Sequence, residues 1–482
     1  MSKPCPQVES LVAAGLQSRI LLPDDEKYTE RVDSYWCNSA KLRPAAIVQP
    51  SSALEVATAV KALAGAGQLF AVRAGGHTNF AGSNNIDGSG VTIDLGLLNT
   101  TRYDAATQTA HVEPAAKWKN VYPELEKHGR VVIGGREAEV GVGGFLLGGG
   151  NTFYTARYGW ACDNVLAFEV VLADGSIVTA DATGEHADLF RVLKGGSNNF
   201  GIVTRFTLRT IPSSPFWGGY AVRPIDVVAE SAKAIEDFTA NVVNDPDSAL
   251  NYTICRAPRL GGDAAVTILT NVAGVESPAA FQSFLKMPEV MNNLKPTSID
   301  EVLPYTSLPT GYYNIWYALA FKNDASIIAK ACELHTRLAN EVQAQVPDGD
   351  YSTHISFQPI PRAVAQQSVA AGGNVLGLED YPHDVILFQA NASVRTNELA
   401  GWARPRVRAV VEDLQAFAET MDGGEGACRW IYLNYASPDQ DVLRSYGPEN
   451  VRRMRDAAAK YDPDGVFQRL CPGGFKISAV KD

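Results

Sequence analysis

The stretch FAVRAGGHTNFAG, residues 70–82, surrounds one histidine, His77, with glycine, alanine and other small residues. Two more segments share this glycine-rich character: GGREAEVGVGGFLLGGGNTF at 134–153 and LKGGSNNFGIVT at 193–204. Glycine lets backbone amides approach a ligand closely and bind anions. None of the three segments is a P-loop or a dinucleotide-binding G-x-G-x-x-G that opens a helix in a βαβ unit. A tight turn explains any one of them, but three in the first half of the chain predict an extended, phosphate-bearing ligand lying along the backbone.

The length and composition are typical of a soluble globular protein with two domains. The chain has 482 residues, of which 46% are hydrophobic and 20% are charged. Its net charge of −11 argues against nucleic acid and anionic membranes, because no basic field attracts phosphates. No apolar run reaches the ~18–20 residues of a membrane span. These features predict no nucleic-acid or membrane partner. We also expect a monomer that binds a small-molecule substrate.

The N-terminal segment and the cysteines bear on the compartment. Glu9, Ser18 and Arg19 interrupt the apolar patch of the first 23 residues, which therefore do not resemble a signal peptide. We expect a cytoplasmic protein, or a secreted one whose signal peptide was removed. Seven cysteines are scattered without a C-x-x-C pair, which predicts no metal site. Cys5 and Cys37 would form a disulfide if the protein were secreted.

The first part of the chain alternates short strands with short helices. Residues 46–72 predict a strand, a helix capped by Ser51 or Ser52, and a second strand. The segment NVLAFEVVLADGSIVTAD (164–181) predicts a hairpin that turns at Asp174-Gly175. The segment GIVTRFTLRTIP (201–212) predicts a further strand that Pro212 ends.

The pattern changes after residues 213–215. Long strands such as DVILFQANASV (384–394) then alternate with long helices such as ASIIAKACELHTRLANEVQAQV (325–346), which predicts an antiparallel sheet backed by helices. Beyond the acidic, glycine-rich MDGGEGA (421–427), the tail predicts a strand, a turn and an amphipathic helix. Chain order alone does not assign this tail to either domain.

Six motifs, in this order along the chain, resemble the FAD-linked oxidases of the vanillyl-alcohol oxidase superfamily. They are RAGGH (73–77), VGVGGFLLGGG (140–150), YGWACDNVLAFEVVLADG (158–175), LKGGSNNFGIVT (193–204), YLNY (432–435) and YDPDGVF (461–467). They are most similar to the berberine-bridge-enzyme-like branch, especially its fungal members. The resemblance covers nearly the whole chain and is weakest over 215–420.

The resemblance implies an α+β fold: a two-domain PCMH-type FAD-binding fold plus an antiparallel-sheet substrate domain backed by helices. Its implied divisions are an FAD-binding domain at 1–212 and a substrate-binding domain at 213–427. A C-terminal segment at 428–482 is expected to return to the FAD domain.

The resemblance also implies a covalent flavin. In this family the histidine of the GGH motif, here His77, is bonded through a ring nitrogen to the 8α-methyl group of FAD. Many relatives add a second link from a cysteine, but alignment of the glycines places Glu137 at that position. A carboxylate cannot form the thioether, so we predict a single link through His77. Phe145 stands where plant members often have histidine, and Val140 occupies the position that controls oxygen access, where valine is typical of oxidases.

The full set of cofactor-binding residues is carried over from the same motifs. It comprises Arg73, Ala74, Gly75, Gly76, His77, Thr78, Asn79, Glu137, Val140, Gly141, Gly143, Gly144, Gly148, Asp163, Asn164, Gly201, Ile202, Val203 and Asn434.

The YLNY motif supplies the candidate catalytic residues, Tyr432 and Tyr435. On a strand, Tyr432 and Asn434 would share one face and Tyr435 the other, and the sequence does not settle which tyrosine meets the substrate. A tyrosine acts as a base when a neighbouring charge lowers its pKa. His354 and Gln358, on a predicted strand of the substrate domain, are further candidates for lining the site.

These residues predict an FAD-dependent oxidase. The substrate would lose a hydride to the flavin while a base removes a proton, and O2 would reoxidise the flavin to give hydrogen peroxide. Two alternatives stay open: a flavin-dependent oxidative cyclase of natural-product biosynthesis, and a non-catalytic flavin-binding protein. The sequence does not name the substrate, because the resemblance is weakest where the substrate would bind.

Overall fold

Short strands fill the first half of the chain, and long strands and helices fill the second. The computed structural model describes residues 6–306 and 309–481. The helices are α1 (Glu9–Ala13), α2 (Glu26–Asp33), α3 (Ala53–Gly65), α4 (Trp118–Glu126), α5 (Val142–Leu147), α6 (Thr155–Tyr158), α7 (Ala187–Leu193), α8 (Val228–Asn241), α9 (Gln282–Leu285), α10 (Ile299–Val302), α11 (Ala325–Gln345), α12 (Ala363–Ala370), α13 (Asn397–Glu419) and α14 (Pro448–Tyr461). The strands are β1 (Ile20–Leu21), β2 (Ala46–Val48), β3 (Phe70–Arg73), β4 (Val91–Asp94), β5 (Thr101–Asp104), β6 (Thr109–Val112), β7 (Arg130–Val132), β8 (Val165–Val171), β9 (Ile177–Asp181), β10 (Ile202–Pro212), β11 (Phe216–Arg223), β12 (Ser248–Ala257), β13 (Gly262–Asn271), β14 (Met291–Asn292), β15 (Lys295–Thr297), β16 (Tyr313–Lys322), β17 (Ser352–Ile360), β18 (Val385–Val394) and β19 (Ala427–Cys428).

The first sheet contains the predicted strand–helix–strand segment. Its order is β1-β2-β4-β3, and β2, β4 and β3 run parallel. Helix α3 connects β2 to β3, and the Ser52 hydroxyl accepts the amide N–H of Glu55 in its first turn. The strand–helix–strand prediction is confirmed, with Ser52 as the cap. The RAGGH segment follows directly from the end of β3.

The second sheet contains the predicted hairpin. Its order is β5-β6-β10-β8-β9, with β7 beside β10. Strands β8 and β9 pair antiparallel around the Asp174-Gly175 turn, which confirms the hairpin. The glycine-rich segment at 134–153 follows β7, and that at 193–204 leads into β10. All three glycine-rich segments therefore lie at strand ends.

The third sheet is antiparallel and is backed by helices, as predicted. Its order is β14-β11-β13-β12-β17-β18-β16-β19, with β15 beside β11. Helices α8, α11 and α13 pack on one face and share a hydrophobic core with it. Asp324 and Thr396 cap α11 and α13 by accepting backbone N–H groups. The opposite face of the sheet is left for the site described below.

The tail differs from its prediction at one point. Residues Leu433–Tyr435 form a single 3₁₀ turn, not a strand, because the amide of Tyr435 bonds to the carbonyl of Tyr432 within the segment. The predicted amphipathic helix is present as α14 and packs against α7. Trp430 and Tyr432 lie in the same hydrophobic core as the second sheet.

Three further features are the lengths of the helices, the grouping of metal-ligating side chains and the state of Cys37. No helix in the described part of the chain is long and apolar enough to cross a membrane. Among residues 6–306 and 309–481, no group of three or more His, Cys, Asp or Glu side chains is arranged to hold a metal ion. Cys37 is a buried free thiol, and its predicted disulfide partner Cys5 lies outside the described residues.

Candidate active site

A cavity of about 480 Å³ lies between the glycine-rich segments and the third sheet. The alternation of β12 explains why the sheet presents polar groups to it. Tyr252 and Ile254 enter the core beneath the helices, whereas Asn251, Thr253 and Cys255 point the other way and line the cavity. The cavity thus joins a wall of backbone and small residues to a floor of side chains.

Two of the glycine-rich segments meet backbone to backbone. A Cβ added to Gly75 would lie 2.6 Å from both Cα and N of Gly141, and a Cβ on Gly141 would lie 2.6 Å from Cα of Gly75. Neither position has room for a side chain. A Cβ on Gly144 would meet no atom within 4 Å, which leaves open space beside α5. The glycines therefore let the two segments pack against each other, and they leave the wall without side chains that would block a ligand.

His77 stands in this wall with a nitrogen that lacks a hydrogen-bond partner. Its ring stacks on Trp36, with centroids 4.5 Å apart and planes 7° from parallel. The buried Nε2 atom forms no hydrogen bond with any described residue and lies 3.5 Å from Oε2 of Glu137. Burial lowers the pKa of His77 to about 4, so the ring is neutral near pH 7. Buried ring nitrogens in proteins usually have a hydrogen-bond partner, and the residues described here supply none to this one.

Glu137 is held by the segment that follows it. Its Oε2 atom accepts the amide N–H groups of Glu139 and Val140, at 2.8 and 2.7 Å. The carboxylate is therefore fixed beside His77, and Val140 is fixed in the cavity wall next to Gly141.

Tyr432 is buried, and its hydroxyl group holds a neighbouring turn in place. Its hydroxyl oxygen accepts the amide N–H groups of Gly150 and Asn151, at 3.0 and 2.8 Å, and the side-chain amide of Asn434 at 3.1 Å. Burial raises the pKa of Tyr432 well above its ordinary value. Since this oxygen already holds the 149–151 turn, Tyr432 is suited to positioning and poorly suited to accepting a substrate proton.

Tyr435 has a different environment, in which the guanidinium of Arg136 lies beside the phenol hydroxyl. Arg136 donates to the Tyr435 hydroxyl at 3.1 Å, and that hydroxyl donates to Oε1 of Gln358 at 3.3 Å. Arg136 and Asn151 also donate to the same Gln358 oxygen, Asn151 at 2.8 Å. All four residues line the cavity. Tyr432, Asn434 and Tyr435 meet here despite the absent strand, because the 3₁₀ turn carries all three towards the cavity.

The floor of the cavity carries polar atoms without partners. Thr253, Ser356 and Gln389 lie opposite one another on β12, β17 and β18. The Ser356 hydroxyl, Nε2 of Gln389 and Oδ1 of Asn251 are buried and form no hydrogen bond with the described residues. His354 also lines the cavity, as predicted, and burial lowers its pKa to about 4, so it adds no charge near pH 7. The floor is neutral and offers both donors and acceptors.

Apolar side chains complete the floor. Val266 and Ile268 on β13 and Trp316 on β16 line the cavity beside the polar row. A ligand that fits this floor combines apolar surface with a few oxygen-bearing groups.

Most of the predicted cofactor-binding residues line the cavity. They are Ala74, Gly75, Gly76, His77, Thr78, Asn79, Glu137, Val140, Gly141, Gly143, Gly144, Gly201, Ile202, Val203 and Asn434.

Four predicted residues do not line it, and their contacts lie within the protein. The Arg73 guanidinium donates to the carbonyl of Arg31 and to Ser34, and it covers the ring of Tyr35. It therefore anchors β3 to the N-terminal segment. Gly148 packs against Asn434, since a Cβ there would lie 2.0 Å from Oδ1 of that side chain.

Asp163 and Asn164 are the other two. Asp163 is buried and accepts from Ser368 at 2.6 Å and from Asn374 at 2.9 Å. Asn164 donates to the carbonyls of Tyr158 and Trp160. Both side chains are used within the protein, where they hold neighbouring segments in place.

Arg136 and Asn151 are the residues that sequence reasoning missed. Arg136 directly precedes Glu137 in a glycine-rich segment, and a charged residue in such a segment is a signal that points to a ligand. Asn151 gives no comparable signal, because its partners Gln358 and Tyr432 are more than 200 residues away in the chain.

The cavity suits FAD. The glycine segments place backbone and small side chains along an extended wall, Nε2 of the neutral His77 ring forms no hydrogen bond with the described residues, and a Cβ at Gly144 would meet no atom within 4 Å. The residues that would hold the cofactor are those of the 74–79, 140–144 and 201–203 segments.

Comparisons with known proteins agree with this fit. Residues 44–181 match a family described as an FAD binding domain. The chain is 37% identical to the FAD-dependent monooxygenase sdcF of Emericella nidulans, over 98% of this chain and 99% of that protein. It is 35% identical to the FAD-dependent monooxygenase drtC of Aspergillus calidoustus, over 98% and 90%.

Solved structures show the same fold. 6-Hydroxy-D-nicotine oxidase from Arthrobacter nicotinovorans has a TM-score of 0.77 at 21% identity, covering 96% of this chain and 98% of that one. Berberine bridge enzyme from Eschscholzia californica has a TM-score of 0.74 at 16% identity, covering 99% of both chains. With the FAD-binding segments and full-length relatives in agreement, the chain belongs to the same family as these fungal FAD-dependent monooxygenases and is an FAD-dependent oxidoreductase with the fold of berberine bridge enzyme.

Proposed function

We propose that this protein is an oxidase that transfers a hydride from a neutral small molecule to FAD held by one covalent bond to His77, with O2 as the final acceptor and hydrogen peroxide as a product. FAD supplies the hydride-accepting chemistry when bound. One observation carries the proposal: Tyr435, with Arg136 at its oxygen, shares a cavity with His77 and with the neutral floor of the third sheet. A merely flavin-binding protein has no use for a cation placed on a phenol in the substrate space.

Tyr435 is the residue that we assign as the base. Its hydroxyl reaches the cavity and exchanges hydrogen bonds with Gln358 and Arg136. A guanidinium is a strong partner for an oxygen that carries negative charge, and Arg136 places one 3.1 Å from the Tyr435 oxygen. Gln358, held by Asn151, orients the phenol.

The covalent link rests on the state of His77. Its ring is neutral and stacks on Trp36, and its buried Nε2 atom forms no hydrogen bond within the described part of the chain. A neutral imidazole keeps the lone pair that bond formation requires. A second link is not expected, because Glu137 occupies the place at which a thiol would be needed.

The floor supports an uncharged, partly apolar substrate with hydroxyl or carbonyl groups. Buried polar atoms are costly when unpaired, so the free groups of Asn251, Ser356 and Gln389 favour a ligand that pairs with them. Val266, Ile268 and Trp316 favour an apolar body.

Monooxygenation is the second candidate, since the two relatives with 35–37% identity are named FAD-dependent monooxygenases. The two functions differ in the fate of oxygen. We would screen alcohols, phenols, sugars and amines under ¹⁸O2 and measure peroxide and product mass together. One peroxide for each oxidised substrate, with no ¹⁸O in the product, is the result expected of an oxidase. Incorporation of ¹⁸O from the gas into the product would establish the monooxygenase instead.

Val140 is expected to control the reaction with oxygen. Its side chain lines the cavity between Glu137 and Gly141, and the longer leucine would fill part of the space beside the flavin. In Val140→Leu we expect reoxidation of reduced flavin by O2 to slow by about tenfold, a barrier change of ~1.4 kcal/mol. Stopped-flow mixing of reduced protein with oxygenated buffer measures this rate.

The control adds the same methylene elsewhere in the cavity. Val266→Leu, on the sheet floor, is expected to alter reduction by substrate and to leave reoxidation unchanged. Equal reoxidation rates in Val140→Leu and the wild type would remove Val140 from the oxygen path.

A further inference from the structure

Three buried polar groups on the cavity floor lack hydrogen-bond partners among the described residues. They are Oδ1 of Asn251, the hydroxyl of Ser356 and Nε2 of Gln389. Ser356 and Gln389 are only 4% and 5% exposed. Packing does not require polar residues here, because the adjacent Phe357 and Phe388 turn to the other face of the sheet and form the core beneath the helices. Since unpaired buried polar groups are costly, the three groups indicate a ligand that pairs with them.

The strand register arranges these groups at two points. Ser356 on β17 lies directly opposite Gln389 on β18, so their side chains are neighbours on one face of the sheet. Asn251 on β12 comes two residues before Thr253, the residue opposite Ser356. Asn251 and Ser356 are therefore diagonal neighbours, whose Cβ atoms are about 7–8 Å apart in a sheet. A ligand that pairs with all three groups needs polar atoms at two separate ends.

The two points match different groups on the ligand. The Gln389 amide N–H and the Ser356 hydroxyl can both donate to one carbonyl oxygen, whereas the Asn251 carbonyl oxygen accepts from a hydroxyl. Val266 and Ile268 on β13 line the cavity beside this row. They favour an apolar body between the two polar ends.

The charged groups near this row have partners elsewhere. Among the described residues that line the cavity, the acidic and basic side chains are Glu137 and Arg136. Glu137 accepts two backbone N–H groups, and Arg136 donates to Gln358 and to Tyr435. The three unpaired groups are themselves neutral. The row therefore favours a ligand without charge.

We propose that this row selects the substrate by recognition at two points, and that the substrate is a neutral compound with a carbonyl group and a hydroxyl group at opposite ends of an apolar body. Ser356 and Gln389 donate to the carbonyl oxygen, and Asn251 accepts from the hydroxyl. This inference rests on the proposed function, which places the substrate over the floor of the third sheet. It adds the residues that determine specificity and the arrangement of the groups that they bind.

The test measures binding to the FAD-loaded protein by ligand-observed NMR titration, with O2 excluded so that turnover plays no part. The probe is 4-hydroxyacetophenone, which carries its two groups at opposite ends of a ring. Acetophenone and phenol each lack one group, and 2-hydroxyacetophenone has both groups at adjacent positions. We expect 4-hydroxyacetophenone to bind at least about tenfold more tightly than each of the other three, because each of these leaves a buried group unpaired.

Two variants and a control assign each group to its partner. In Gln389→Leu, we expect 4-hydroxyacetophenone to lose about tenfold in affinity and phenol to bind as before, because only the carbonyl contact is removed. In Asn251→Leu, we expect the same loss for 4-hydroxyacetophenone and unchanged binding of acetophenone. The control is Asn391→Leu, since Asn391 is a buried residue of β18 whose Nδ2 also lacks a partner among the described residues, but it does not line the cavity. It should bind every probe as the wild type does.

The outcomes that contradict the proposal are distinct. Equal affinity for the four probes, or no saturable binding of 4-hydroxyacetophenone, would mean that the row binds water only. Equally tight binding of 2-hydroxyacetophenone would show that the separation of the two groups is not recognised. A tenfold loss in Asn391→Leu would show a general effect on the sheet.

The four probes on the wild type decide the matter if a variant does not fold. The proposed function fails separately from this inference: binding as expected, without peroxide from any compound in the substrate screen, would contradict the oxidase alone.

Discussion

Replacing His77 with alanine is expected to convert the flavin from fully attached to fully dissociable. Acid precipitation of the wild type should leave the yellow colour in the pellet, and the same treatment of His77→Ala should leave it in the supernatant. The reason is that the buried ring of His77 is neutral and that its Nε2 atom forms no hydrogen bond with any described residue. Absorbance of pellet and supernatant, with mass spectrometry of the digested wild type, measures both states.

The matched control for His77→Ala is His354→Ala. His354 also lines the cavity, and burial also gives it a pKa of about 4, but it lies on the third sheet at β17. Its replacement should leave the flavin in the pellet. Retention of flavin in the pellet by His77→Ala would show that another residue forms the bond.

The cysteines that line the cavity test the prediction of a single link. They are Cys255 and Cys471. We expect flavin only on the His77 peptide of the wild-type digest, because no thiol stands where Glu137 does. A flavin bridge to either cysteine would contradict this prediction.

Much of the fold was predictable because its signals are local. Ser52 and Glu55 indicate the start of the helix over Ala53–Gly65, and Asp174-Gly175 indicates the turn of the β8–β9 hairpin. Each signal lies within a few residues of the element that it defines. The antiparallel third sheet follows from the alternation of long strands and long helices. The prediction of a strand at Tyr432 was wrong because alternation over four residues is weak evidence for a strand. One local hydrogen bond from Tyr435 was enough to produce a turn.

The candidate site was predictable only where its residues lie in one segment. Gly75, Gly76 and His77 are adjacent in the chain, and the structure places all three on the cavity wall. Asp163, in contrast, shares a motif with the site, but Ser368 and Asn374 come from more than 200 residues away to occupy its carboxylate. Sequence reasoning sees the motif and cannot see such partners.

The same limit explains the two tyrosines. Nothing in YLNY distinguishes their roles, because the difference comes from what surrounds each hydroxyl. The amides of Gly150 and Asn151 converge on Tyr432, whereas Arg136 and Gln358 reach Tyr435. These contacts lead to the second large prediction.

Tyr435→Phe is expected to slow reduction of the flavin by substrate by about 100-fold or more, the usual contribution of a general base. The substitution removes one oxygen and leaves the ring contacts intact, since Trp316 packs edge-on against this ring at 5.9 Å and Tyr432 at 4.9 Å. Substrate affinity and flavin content should therefore change little. Anaerobic stopped-flow bleaching of the flavin, with the best reductant from the panel above, gives the reduction rate and its dependence on concentration.

Tyr446→Phe is the appropriate control because it removes a hydroxyl from the same core without touching the cavity. The Tyr446 oxygen is buried, forms no hydrogen bond with the described residues and does not line the cavity, so its loss should leave the reduction rate unchanged.

Tyr432→Phe should behave differently from both Tyr435→Phe and Tyr446→Phe. Two backbone N–H groups lose their acceptor, which costs about 1–3 kcal/mol for each group left unpaired, so stability should fall before catalysis does. If flavin reduction in Tyr435→Phe had the wild-type rate, while Tyr432→Phe had normal stability and slow flavin reduction, the base would be Tyr432 and not Tyr435. The roles are separable by experiment because the protein surrounds two tyrosines of one motif with different hydrogen-bond partners.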